Sequence, residues 1–163
     1  MNRNTFLRVA AMALAIGSMG TAMSAKRAMA EERPFMAKLA GNAHLTPTGD
    51  PSVLLNHETG AGEATHLGQF QWEDDEVATF GAGGVSVVAS FTMTAANGDK
   101  VYGEFTSSGS FDEDGNLVIE GSYQVTGGSG RFDGAVGSGT ISAVAFLSPG
   151  LPFIGSFNGT IDF

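Results

Sequence analysis

His66 is the side chain in this sequence best suited to acid–base or ligand chemistry, because an imidazole titrates near neutral pH. It lies in the run Gly62–Trp72. Strand alternation there puts it on one face with Phe70 and Trp72, and Glu63, Thr65 and Leu67 on the other. If the aromatic face turns inward, His66 stands at a cavity wall or mouth as the catalytic candidate. A hydrogen-bonded histidine at a barrel end is the plainer reading. His57-Glu58 and Glu63-Ala-Thr-His66 contain metal-ligand residue types, but the zinc protease motif wants two histidines one helical turn apart. Glu63 and His66 fall on opposite strand faces, so no metal site is expected. Asp112-Glu-Asp-Gly-Asn116 lacks the glycine and glutamate positions of a calcium-binding helix–loop–helix, and Glu73-Asp-Asp-Glu76 lacks ordered ligand spacing. Both acidic clusters are expected to be solvated turns.

Other chemistries are missing. The chain has no cysteine, which removes thiol nucleophiles, thiolate metal sites, disulfides and a lipid-modified N-terminal cysteine. Neither Gly81–Gly84 nor Gly127–Gly139 fits a phosphate-cradling glycine pattern, and no serine sits in a G-x-S-x-G elbow. Arg131 and Asp133 are placed to pair across one strand face. No cofactor is expected.

The elements that must position any site are strands. Helical periodicity is almost absent after residue 31, and alternation replaces it. Leu117, Ile119, Gly121, Tyr123 and Val125 share one face, and Phe153, Gly155, Phe157, Gly159, Ile161 and Phe163 repeat the pattern at the C-terminus. Further strands are expected near Phe35–Leu45, Gly62–Trp72, Val85–Ala95, Lys100–Phe111 and Gly139–Leu147, with a long loop over Thr46–Ala61. Asn97-Gly98 predicts a type I′ hairpin turn, Asp114-Gly115-Asn116 another turn, and Pro149-Gly150-Leu151-Pro152 a break before the last strand. Glycines sharing faces with large aromatics favour closure, because glycine permits the coiling and the rings fill the space. The expected fold is all-β, a small closed antiparallel barrel of about eight strands.

Residues 1–30 read as a secretory signal peptide. Arg3 and Arg8 precede an uncharged run from Val9 to Met23, and Ala28-Met29-Ala30 forms an A-x-A cleavage site. That run is shorter than the roughly 20 apolar residues of a spanning helix. The expected mature chain is therefore one domain, residues 31–163, exported to the periplasm or beyond, with no membrane span. It keeps four basic residues against 17 acidic ones, a net charge of −13. Such a surface repels nucleic acid and anionic lipid. An outer-membrane barrel is disfavoured by the scarcity of aromatic-girdle residues, with one Trp and two Tyr.

The segment Tyr123–Gly139 resembles a recurring stretch of the allene oxide cyclase and dirigent family. A strand runs into a Gly-Gly-Ser-Gly turn, followed by an aromatic, a Gly-Ala pair and another glycine. The matching positions are Gly127, Gly128, Ser129, Gly130, Phe132, Gly134, Ala135 and Gly137. The resemblance implies an eight-stranded barrel with a hydrophobic central cavity, often as a homo-trimer, in which a ligand's conformation is controlled. It carries over no catalytic residue: the acidic, asparagine and proline constellation of the plant cyclases and the dirigent pocket's aspartate, arginine and tyrosine groups find no counterpart.

The functional expectation is a barrel binding a hydrophobic or amphipathic small molecule, lined by His66, Phe70, Trp72, Phe91, Met93, Phe105 and Tyr123. Two alternatives stay open: a cyclase or isomerase steering a reactive substrate within the barrel, and a structural envelope protein with a plugged barrel.

Overall fold

A computed structural model describes residues 31–163; the signal peptide expected over residues 1–30 lies outside them. Eight antiparallel strands follow one another: β1 (Arg33–Pro47), β2 (Val53–Ala64), β3 (Gly68–Gly81), β4 (Gly84–Ala95), β5 (Lys100–Phe111), β6 (Leu117–Ser129), β7 (Val136–Ala145) and β8 (Pro152–Asp162). Each pairs with its sequence neighbour and β8 returns to β1, so the sheet closes into a barrel as expected from the alternation. Closure removes the unpaired edges that an open sheet of this size would expose. A short 3-10 turn, Gly130–Phe132, links β6 to β7 within the glycine-rich segment. Among the described residues no helix is long and apolar enough to cross a membrane.

Register sets the geometry. A walk along paired residues leaves β1 at Leu45, passes Asn56, Glu76, Ala89, Phe105, Tyr123, Gly139 and Gly159, and re-enters β1 at Phe35, ten residues lower. That offset is the barrel's shear, and for eight strands it goes with a strand tilt of roughly 35–45°. Inward positions are then fixed by parity, and the buried aromatics share it.

The interior is filled by rings seated against glycines. Trp72 stacks on Phe91 with centroids 5.3 Å apart, Phe91 meets Phe157 edge-on at 5.4 Å, and Phe157 meets Tyr123 at 4.9 Å. A Cβ on Gly103 would collide with the Phe91 ring, and one on Gly159 would stand 2.6 Å from the Tyr123 hydroxyl. The bare backbone at these two positions gives the rings their room.

Three local expectations change. The loop expected over Thr46–Ala61 is only the connection 48–52; Val53–Ala64 is strand β2. Its alternation is hard to read because the inward residues Asn56 and Glu58 are polar while the outward Leu55 is apolar. The strand expected over Gly62–Trp72 is interrupted by a tight turn, Thr65–Leu67, closed by the Leu67 N–H donating to the Thr65 carbonyl at 2.9 Å. The Asn97-Gly98 turn is a three-residue loop rather than type I′. The Gly98 N–H donates to the Ala95 carbonyl at 2.9 Å, and Gly98, not Asn97, takes positive φ. Asp112–Asn116 uses the same design, with Gly115 at φ 82°.

Candidate functional site

The expected lining residues Phe70, Trp72, Phe91, Met93, Phe105 and Tyr123 all face inward, each 5% exposed or less. Trp72, Phe91 and Phe105 pack ring against ring, Tyr123 joins them through Phe157, and all six belong to one buried cluster in the half of the barrel toward the chain termini. That end is sealed by Phe132, Ala135 and Ile161, all 0% exposed, with Phe163 lying on Phe132 at 4.7 Å.

His66 does not join them. It is the central residue of the Thr65–Leu67 turn, at φ 69°, and its exposed ring lies outside the barrel. Its Nε2 lies 3.1 Å from the Pro34 carbonyl and its ring is tilted against Phe163 at 5.5 Å. The shared face with Phe70 and Trp72 is lost because the strand reverses between them.

The polar chemistry of the interior lies elsewhere, on β2 and β3. The parity that turns Phe70 and Trp72 inward continues to Asp74 and Glu76, and on β2 it turns Asn56 and Glu58 inward. Register places Glu58 opposite Asp74 and Asn56 opposite Glu76. Glu73–Glu76 is therefore part of a strand rather than a solvated turn: Asp74 is 2% exposed and Glu76 9%. The Asn56 amide donates to Glu76 Oε2 at 2.7 Å and to Glu58 Oε1 at 3.1 Å, and the Glu58 backbone N–H donates to Asp74 Oδ1 at 3.1 Å. One oxygen from each of the three carboxyl groups lies within 4.8 Å of the others, close enough to share a single positive charge.

Two of these four side chains are under-satisfied. Asn56 Oδ1 and Asp74 Oδ2 are buried without a hydrogen-bond partner, as are Trp72 Nε1 and Ser107 Oγ nearby on the inner wall. Burial pushes the Glu58 carboxyl up to about 8, with Glu76 adding repulsion and Asn56 opposing it. Burial, then the charges of Glu58 and Glu76, push Asp74 up to about 10. Glu76 is raised too, by burial against the Asn56 and Asp74 hydrogen bonds. A carboxylate leaves water only at high cost unless a cation or proton compensates it.

Above the cluster, toward the end carrying connections 48–52 and 112–116, inward positions keep contact with solvent. Leu45 is 39% and Phe111 52% exposed, and Leu54, Leu117 and Ile119 are half-buried. The barrel thus has an apolar rim, a carboxyl layer beneath it and an aromatic floor. Comparison of the chain with protein-family models, curated proteins and solved structures gave no match.

The sequence signal for this site existed. Continuing the parity of Phe70 and Trp72 across Asp74, Glu76, Ala78 and Phe80 marks two carboxylates as inward. The pairing with Asn56 and Glu58 was not readable, because it depends on the β2–β3 register.

Proposed function

We propose that the protein is an exported binding barrel that takes an amphipathic small molecule with a positively charged head into its rim half. The head rests among Asn56, Glu58, Asp74 and Glu76, and the apolar part lies along Leu45, Phe111, Leu117 and Ile119. The observation that carries this reading is the buried carboxyl cluster with unpartnered oxygens beneath an exposed apolar rim. A matched cation would supply the charge that the protein itself does not place there. The resemblance of Tyr123–Gly139 to allene oxide cyclase and dirigent proteins belongs to the same proposal, as a ligand-holding role inside a closed barrel. The ring-filled half accounts for the plugged-barrel alternative without excluding a ligand above it.

Trp72, the chain's only tryptophan, shares the inner face with Asp74 two residues away and reports on the site by fluorescence. Titration with octyltrimethylammonium is expected to change its emission saturably, while neutral octanol does not. Asp74→Asn combined with Glu76→Gln is expected to weaken binding by about tenfold or more, the loss of a paired charge. Equal response to octanol, or a response to calcium ions alone, overturns the amphipathic-cation reading.

A further inference from the structure

Donors and acceptors in the carboxyl layer do not match, and the mismatch bears on which charged head the layer takes. The Asn56 amide nitrogen donates twice, to Glu76 Oε2 and to Glu58 Oε1. The Glu58 backbone N–H goes to Asp74 Oδ1. Each carboxyl group therefore has one oxygen with a donor, and among the described residues no N–H reaches the other. Asn56 Oδ1 and Asp74 Oδ2 are enclosed without a partner, on residues only 7% and 2% exposed. Both orphans among the four side chains are acceptors, so the layer is short of donors. In the empty barrel the available donors are carboxyl protons, held there by burial.

Spacing adds a size limit. One oxygen of each carboxyl group lies within 4.8 Å of the others. A point among three atoms that close stands about 2.8 Å or less from each, the length of an N⁺–H···O⁻ bond. A primary ammonium brings three N–H donors and no acceptor. A trimethylammonium brings no donor, and its methyl carbons approach oxygen only to about 3.3–3.6 Å, which keeps its nitrogen off that point. The chain does not fill the place itself. Arg131 pairs with Asp99, Arg33 lies over the Phe163 ring, and Lys38 and Lys100 take the outward parity of β1 and β5.

We infer, resting on the amphipathic-cation reading and narrowing it, that the head is a primary ammonium and the ligand class is aliphatic primary amines. Its three N–H groups pair with the acceptors that the protein leaves open. A quaternary head on the same chain gains the charge alone and leaves those acceptors unpaired, which a site built on hydrogen bonds penalises heavily. A pocket offering only charge and apolar contact would give the opposite order. There each added methyl contributes apolar area and removes a strongly hydrated N–H.

The test titrates the purified chain at pH 7 with octylammonium and its N-methyl, N,N-dimethyl and N,N,N-trimethyl derivatives, read by Trp72 emission and by calorimetry. Charge and chain stay constant while the N–H count falls from three to none. Affinity is expected to drop with each methylation, by about tenfold or more from first to last. Asp74→Asn gives the layer N–H donors of its own and should narrow that ratio. Equal affinities across the series, tightest binding by the trimethyl head, or a ratio unchanged in Asp74→Asn would overturn the primary-ammonium inference and leave the amphipathic-cation reading standing. Failure of every member to bind, or equal binding of octanol, would overturn both.

Discussion

At the scale of single residues, three carboxyl groups face the barrel interior and hold their protons past the range in which an unfolded chain releases them. The consequence for stability has a definite sign. As pH rises above the ordinary carboxylate range, the unfolded chain loses these protons while the folded one keeps them, so each step upward favours unfolding. That trend runs until the folded values are passed, about 8 for Glu58 and about 10 for Asp74. The ligand-free barrel is therefore expected to melt at a higher temperature at pH 5 than at pH 8.5, measured by circular dichroism. Asp50 and Asp112, held low by Ser52 and Asn116, bear on stability only in stronger acid. Asp74→Asn removes a group that must take up a proton to fold at pH 8.5, so it should flatten the profile and raise the melting temperature there. A gain of about 1 kcal/mol corresponds to roughly 3–6 °C for a domain of this size. His66 makes a contrasting case. Its left-handed backbone is costly for a residue with a Cβ and costs glycine little. His66→Gly should change stability by less than about 1 kcal/mol and leave octyltrimethylammonium binding intact.

Elements show where sequence reasoning works and where it stops. Alternating apolar residues on β5, β6 and β8 made those strands legible, as did the glycine-bearing turns between them. β2 was hidden because its inward face holds Asn56 and Glu58, which reverses the polarity that marks a buried side. The same reversal made Glu73–Glu76 look like a solvated turn, although the parity of Trp72 ran straight through it. A functional polar face inside a core breaks the pattern from which strands are read. Glycine–ring pairs are the other element-level feature, and they predict strict size limits. Gly103→Val drives a branched side chain into Phe91 and should destabilise the barrel by about 1–3 kcal/mol. Phe91→Ala leaves a void among Trp72, Phe105 and Phe157 and should cost about 3–5 kcal/mol. Urea denaturation of both variants checks these values.

For the molecule as a whole, closure with a ten-residue offset gives one small space two unlike halves. The half near the termini is filled with rings and closed by Phe132. The other keeps exposed apolar side chains at its rim and places charge-bearing groups just below. Strand β1 begins at Arg33, so cleavage after Ala30 would leave every strand intact. Mass spectrometry of exported material is expected to show a chain starting at Glu31. The central claim is that the interior carboxyl groups receive a positively charged ligand head, and side-chain carboxyl 13C NMR addresses it most directly. With octyltrimethylammonium added at pH 7, the Glu58, Asp74 and Glu76 carboxyl signals should move together toward the ionised position, while the outward Asp75 stays in place. Interior carboxyls that titrate like exposed ones and do not respond to the ammonium would contradict the account.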